Sequence, residues 1–391
     1  MSQHSKQEYF KIMHARYQRA GLDQKSDLLT EVCHVCGYHR KHAIRKLTQP
    51  LPDEPRARPH SPRGTTYDAQ TIGVLKAVWQ VAGYPWSARL KALLPIWRPW
   101  IHQHFQLTRH QEQQLLTISP RQIDRRLQTH KAKLKKRFYG RTKPGTLLKH
   151  HIPIRTQHWE VTQSGYVEID LVSHSGNRAE GEFIYSLNLT DIFSGWVETR
   201  AVMGKGERGI VAALDEMRQA LPFELRAIDS DNGGEFINDH LYRYCKRQQI
   251  EFTRSRPYKK DDNAHIEQKN WTHVRKVLGW ERYDSPRALA AINDLYRNEW
   301  RTMMNLFQPS VKLQRKKRIG SHLTRQYDAP QTPLDRLSAS QSGEMPKVQA
   351  LKQQRSASDP FQLADAIECK IEHIWDLANP KSSLRGEKKS G

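Results

Sequence analysis

The sequence predicts an α/β core, a mixed five-stranded sheet with flanking helices, preceded by all-α helix-turn-helix segments and followed by a basic, partly helical tail. Three observations predict it. With 391 residues the chain is long enough for two or three domains. The apolar spacing changes from helical to alternating near residue 164, where SGYVEIDLVSHSG begins. Charge is unevenly spread: residues 1–150 hold 28 Lys+Arg against 9 Asp+Glu, whereas residues 161–290 hold 18 against 20. A cationic front on a near-neutral middle fits a polyanion-binding arm joined to a domain with a different task.

Taken in order, residues 7–22 and 25–36 read as two short helices, and Leu28, Leu29, Val32 and Val35 or Cys36 recur at helical spacing in the second. Gly37 makes a turn. HRKHAIRKL then forms a third helix with Ala43, Ile44 and Leu47 inward and His39, Arg40, Lys41, Arg45 and Lys46 outward. That is a helix-turn-helix over 1–50 with a cationic recognition helix suited to the DNA major groove. Residues 51–67 are a Pro/Arg-rich linker whose Arg56, Arg58 and Arg63 can lie in a minor groove. Residues 68–130 read as a second helical DNA-binding domain. Its helix over 68–83 carries Ile72, Leu75, Val78 and Trp79, and further helical text follows to Trp100. Ser119-Pro120 then opens a basic helix bearing Arg121 and Arg125. The tryptophans of 79–100 either stack on bases or, as their helical spacing favours, belong to a core. From Lys131 to Lys149 there are eight Lys+Arg and no acid, so 131–160 reads as an arm along phosphates, with Lys133, Lys135, Lys136 and Arg137 as its densest run.

In the middle segment, 161–290, the order is three strands, helix, strand, helix, strand, helix, which gives a mixed sheet with helices on its faces. The first strand is expected to end at Asp170, and Asp191 to Gly195 joins the next two as a hairpin. LRAIDSD is the fourth strand, with Asp229 and Asp231 at its end, and IEFTRSR the fifth. Residues 291–391 are expected to be more helices, an irregular basic stretch QRKKRIGSHLTRQYDAPQTP, and a polar end with one helix, FQLADAIECKIEHIWDLA.

Asp170 and Asp231 end separate strands, and Glu267 sits in the first turns of a late helix. Three carboxylates meeting from separate elements make an oxygen-rich site for a hard cation such as Mg²⁺ or Mn²⁺. VEIDLVSH, then AIDSDNGGEF, then SRPYKKDDNAHIEQKNW resembles the catalytic core shared by retroviral integrases and bacterial insertion-sequence transposases. Between Asp231 and Glu267 lie 35 residues, the spacing for which that family is named. The resemblance covers roughly residues 161–290. It implies an RNase H-like fold and a catalytic, metal-binding triad of Asp170, Asp231 and Glu267, holding two Mg²⁺ ions (Mn²⁺ as substitute). The same resemblance implies binding of terminal inverted repeats, cleavage of the transposon end, and attack of the freed 3′-hydroxyl on target DNA, without ATP. No GxxxxGK[ST] loop occurs.

Asp229 does not match the family's ligand position. It reads as an outer acid that hydrogen-bonds a ligand or as a solvated strand residue. Asn232 belongs to the Asp-Asn-Gly turn, and Asn263 to the loop before the glutamate. On the glutamate's helix, Lys269, Arg275 and Lys276 either contact phosphates or form a solvated face. Joining two transposon ends implies a dimer or larger assembly on DNA. A regulator that only binds DNA and a ribonuclease H-type nuclease are the alternative functions.

Cys33, Cys36, His39 and His42 form a CxxCxxHxxH cluster, but tetrahedral zinc usually needs a longer loop between pairs, and zinc there stays open. Four cysteines make no disulfide framework. No apolar run approaches membrane-spanning length, and MSQHSKQEYF lacks a signal-peptide stretch. A cytoplasmic protein with no membrane partner, bound to the nucleoid when on DNA, is expected.

Overall fold

The computed structural model describes residues 3–49, 67–135, 161–178, 180–230, 239–254, 269–319 and 322–378. They form two compact units, residues 1–66 and 67–391, each with its own packing.

The first unit is three helices, α1 (Gln3–Arg19), α2 (Leu22–Cys36) and α3 (Arg40–Thr48). Phe10, Met13, Leu28, Leu29, Val32, Cys36, Ala43 and Leu47 make its core. Gly37 ends α2 in the left-handed region at φ 67°, where glycine carries no Cβ penalty, and the His39 side chain caps α3. Ile44, expected inward, is 38% exposed, because the core stripe of a nine-residue helix is filled by Ala43 and Leu47 alone.

In the second unit, four helices among the described residues precede the sheet: α4 (Ala69–Val81), α5 (Ser87–Phe105), α6 (Arg109–Thr117) and α7 (Pro120–Lys135). The α6 capping box, in which Thr108 and Gln111 bond each other's main chain, is a T-x-x-Q signal that the apolar pattern alone does not reveal. Trp79 and Trp97 are core residues and Trp100 packs against that core, whereas Trp86, expected in the core with them, is 50% exposed just before α5.

The sheet comprises β1 (Tyr166–Ser173), β2 (Ile184–Asp191), β3 (Val197–Met203), β4 (Ala227–Ser230) and β5 (Glu251–Arg254), in the order β3-β2-β1-β4-β5. β1 to β3 are antiparallel neighbours, whereas β4 and β5 run parallel to β1. This is a mixed five-stranded sheet. β1 does not end at Asp170 as expected but continues to Ser173, because β2 goes on pairing with it as far as Ser173 with Tyr185. The 191–195 hairpin is tied by Asp191, which accepts from the Ser194 N–H and hydroxyl and from the Gly165 N–H. Helix α8 (Glu207–Ala220) packs on β3 and β2, and α9 (Asp239–Arg247) leads into β5. The free edge of β3 is closed by two asparagines: Asn293 bonds both the N–H and C=O of Ala201, and Asn305 does the same to Val197. Side-chain amides thus substitute for a sixth strand.

Gly165 starts β1 at φ 113°, and a Cβ there would lie 2.4 Å from the Glu224 carbonyl oxygen. Gly165→Ala is therefore expected to destabilise the second unit by about 2 kcal/mol or more, read as a lower denaturant midpoint at unchanged slope.

After the sheet come α10 (Asn270–Arg275 in π form, continued by Lys276–Leu278), α11 (Pro286–Arg297) and a short helix Glu299–Thr302 that runs into a second π turn, Met303–Phe307. The basic stretch expected to be irregular contains an antiparallel hairpin, Leu313–Ile319 with His322–Tyr327. Ile319 pairs with His322, leaving two residues between the strands, a hairpin spacing hidden by the dense charge. A helix Pro333–Ser340 follows, and the final fifty residues hold two described helices, Met345–Ala357 and Pro360–Asp376, in place of the single one expected. Met345–Ala357 carries almost no periodic signal, because Val348 and Leu351 are its only buried residues. No helix among the described residues is long and apolar enough to cross a membrane.

Candidate active site

Asp170 lies in β1, cross-strand from Asn188, one position beyond the last described β1–β4 pair, Ile169 with Ser230. Asp170 thus lies within β1, three residues before its end at Ser173 and next to the last described residue of the parallel partner β4. Ser230 is the residue before Asp231.

Helix α10 crosses this spot. Asn270 Nδ2 donates to Asp170 Oδ2 at 2.5 Å, and Asn270 Oδ1 accepts from Asn188 Nδ2 at 2.8 Å. Thr199 Oγ1 donates to Asn188 Oδ1 at 3.3 Å. The chain Thr199, Asn188, Asn270, Asp170 spans three strands' worth of sheet face and fixes the carboxylate's orientation. The Leu171 N–H adds a bond to Asp170 Oδ1. Asn270 is three positions after Glu267. Sequence reasoning missed Asn270, although it lies inside the quoted EQKNW motif. Its role depends on a contact across 100 residues that no local pattern encodes. The π geometry of Asn270–Arg275 is of the kind found at functional sites.

Asp229 pairs with Glu168 on β1, two residues before Asp170, and with Thr253 on β5, and directly paired residues share a face. Thr253 Oγ1 donates to Asp229 Oδ1 at 2.9 Å. Asp231, Asn232, Asn263 and Glu267 lie outside the described residues. Among the described residues no group of three or more His, Cys, Asp or Glu is placed to hold a metal.

The cations on α10 have definite partners. Lys269 Nζ reaches the Gly195 carbonyl at 3.4 Å, and burial, with Arg89 and Arg336 nearby, pushes it down to about 7. The Arg275 guanidinium lies 4.1 Å from the Trp280 ring centroid. Lys276 Nζ donates to the Gly83 carbonyl at 2.9 Å. Arg40, Lys41, Arg45 and Lys46 are exposed on α3, with Lys46 over the Phe10 and Tyr38 rings. Arg121 and Arg125 are exposed on α7, and Lys133 and Lys135 lie in its last turn. Arg56, Arg58, Arg63, Lys136 and Arg137 are outside the described residues.

The Cys33–His42 cluster is not gathered. His39 Nδ1 accepts from the Lys41 N–H, His42 sits edge-on to Tyr38, and Cys36 is buried with its thiol pushed up by that burial. Cys245 is buried too, and its thiol is pushed up to about 12, which makes it inert.

No protein-family model matches the chain. An uncharacterized protein of Sinorhizobium fredii, y4rM, is 37% identical to it over 324 residues, covering 82% of this chain and 91% of that protein. Two solved structures are similar in part. The HTLV-2 integrase catalytic core domain, in complex with magnesium and dimeric, matches at a TM-score of 0.29 and 15% identity, over 38% of this chain and 90% of its own. The BIV integrase catalytic core domain matches at 0.28 and 17%, over 46% and 96%.

Proposed function

The chain belongs to one family with the y4rM protein of Sinorhizobium fredii, and we propose that it is a transposase, a polynucleotidyl transferase that binds transposon-end DNA, cuts it and joins it to target DNA. The observation that carries this reading is the meeting of three motif segments at one sheet edge. Asp170 lies one position beyond the last described β1–β4 pair, in which the residue before Asp231 pairs with the residue before Asp170, and the helix that follows Glu267 bonds Asp170 through Asn270.

The donor set is three carboxylates, the hard oxygen ligands that Mg²⁺ or Mn²⁺ takes, and Asn270 supplies the outer hydrogen bond that orients such a ligand. Asp170, Asp231 and Glu267 would hold two ions, which when bound polarise the phosphoryl oxygens and activate the attacking one. The protein's own part is to orient carboxylates and to hold DNA. Asn270 and Asn188 fix the Asp170 carboxyl, and the exposed cations of α3 and α7 neutralise backbone phosphates. In this reading residues 1–50 and 68–130 recognise the inverted repeats, 131–160 follows the backbone, and two or more protomers pair the ends.

Asn270→Ala is expected to lower divalent-metal affinity and strand transfer by roughly 10- to 100-fold while end binding holds, as for other outer-shell partners. Titration of Mn²⁺ into the full chain checks it; unchanged metal affinity would leave Asn270 as packing only. Neutralising Arg45 or Lys46 is expected to reduce the slope of log K against log salt by about 0.9 for each phosphate that the protein no longer neutralises. An unchanged slope would remove α3 from the DNA interface. End-DNA gel shifts run beside nicking assays in Mg²⁺ and Mn²⁺ test the function itself; shifts without nicking would make the protein a DNA-binding regulator.

A further inference from the structure

We propose that the cavity between β2, α5, α10 and the segment after Phe307 is an oxyanion pocket that takes a phosphate group. It encloses roughly 50 Å³ and is lined by Arg89, Lys269 and Lys312, with Thr190 and Asp191 on its wall. The three cations come from segments far apart in sequence, and each is held by a main-chain carbonyl: Arg89 Nε by Pro309 at 2.5 Å, Lys269 by Gly195, Lys312 by Phe193. Asp191, the carboxylate on the wall, accepts instead from Gly165 and Ser194. Nearby Arg336 pairs with Asp328. Lys312 has the Asp191 and Asp328 carboxylates near it, but the charged neighbours of Lys269 among the described residues are the cations Arg89 and Arg336, and like charges gathered in a cavity are costly until an anion arrives.

A second observation points to the same ligand. Thr190 lines the cavity, is 1% exposed, and its hydroxyl has no hydrogen-bond partner. A buried hydroxyl left unmade costs free energy that an oxyanion acceptor would recover. Thr190 is two residues from Asn188 on β2, about 7 Å along the strand and on the same face as the Asp170 and Asn188 pair. The pocket thus flanks the candidate active site. Its existence is independent of the transposase reading, which enters only in expecting the phosphate to belong to DNA.

The test is thermal melting of the full chain in phosphate, sulfate or chloride at constant pH and ionic strength. Phosphate and sulfate are expected to raise the midpoint saturably above chloride, as any ligand of the folded state does. Lys312→Gln should weaken phosphate binding roughly tenfold or more, since charge-assisted bonds are the strong ones. Thr190→Val should weaken it several-fold yet leave the unliganded protein as stable or more so, and this variant carries the test if Lys312→Gln fails to fold. Saturating end DNA then identifies the source. Loss of the phosphate effect assigns the pocket to a backbone phosphate, and additive stabilisation assigns it to free phosphate; both support the pocket. Melting no higher in phosphate or sulfate than in chloride, or equal stabilisation of Thr190→Val and the parent, overturns it. Because no cleavage is read, failure here is distinct from failure of the transposase proposal.

Discussion

Asp170→Asn is expected to abolish metal-dependent nicking and strand transfer while leaving end-DNA binding within a few-fold of the parent. The substitution keeps the shape of the side chain and removes its charge. Metal ions supply several kcal/mol of transition-state charge stabilisation, and at about 1.36 kcal/mol per tenfold that is on the order of a thousandfold in rate. Asp231→Asn and Glu267→Gln should match it, and combining the three should add little, because groups that act as a unit are non-additive. Asp229→Asn should lose far less, since Asp229 is bonded to Thr253 and stands opposite Glu168, two residues before Asp170. Chelation of divalent cations should reproduce the loss in the parent. Nicking by any one of the triad variants at parental rates would reject the assignment.

Trp97→Ala should be the most damaging substitution to stability. Trp97 is fully buried, lies edge-on to Phe307 and Phe361, and donates its indole N–H to the Phe307 carbonyl at 3.3 Å. It joins α5, ahead of the sheet, to helices that follow it by more than 200 residues. A Trp-to-Ala change in such a core costs about 3–5 kcal/mol. Denaturant titration should show a lower midpoint for the unit of residues 67–391. The transition of residues 1–66, whose core is separate, should be unmoved. A midpoint unchanged within error would mean that α5 adds nothing to the fold.

The strands of the core were legible because alternation survives where one face packs and the other meets helices, and the 191–195 turn because Asp, Ser and Gly are its natural residues. Asp170 was legible through its motif. The basic hairpin was not, since its signal is backbone pairing between strands whose side chains are mostly charged. Nor was Asn270, or the gathering of Arg89, Lys269 and Lys312, because each is a product of tertiary approach between segments that carry no mutual spacing. Asparagines at 188, 270, 293 and 305 look alike in the sequence. Two bond the main chain of an edge strand and two build the network at Asp170, and only the fold tells them apart.

The proposed transposase activity requires Asp170, Asp231 and Glu267 to converge on divalent cations. The most direct measurement is a crystal structure of the full chain grown with Mn²⁺, with the metal located by its anomalous scattering. Metal density is expected within about 2.0–2.6 Å of carboxylate oxygens from all three residues, with Asn270 still bonded to Asp170. Metal bound elsewhere, or Asp231 and Glu267 held away from Asp170 with Mn²⁺ saturating, would contradict it.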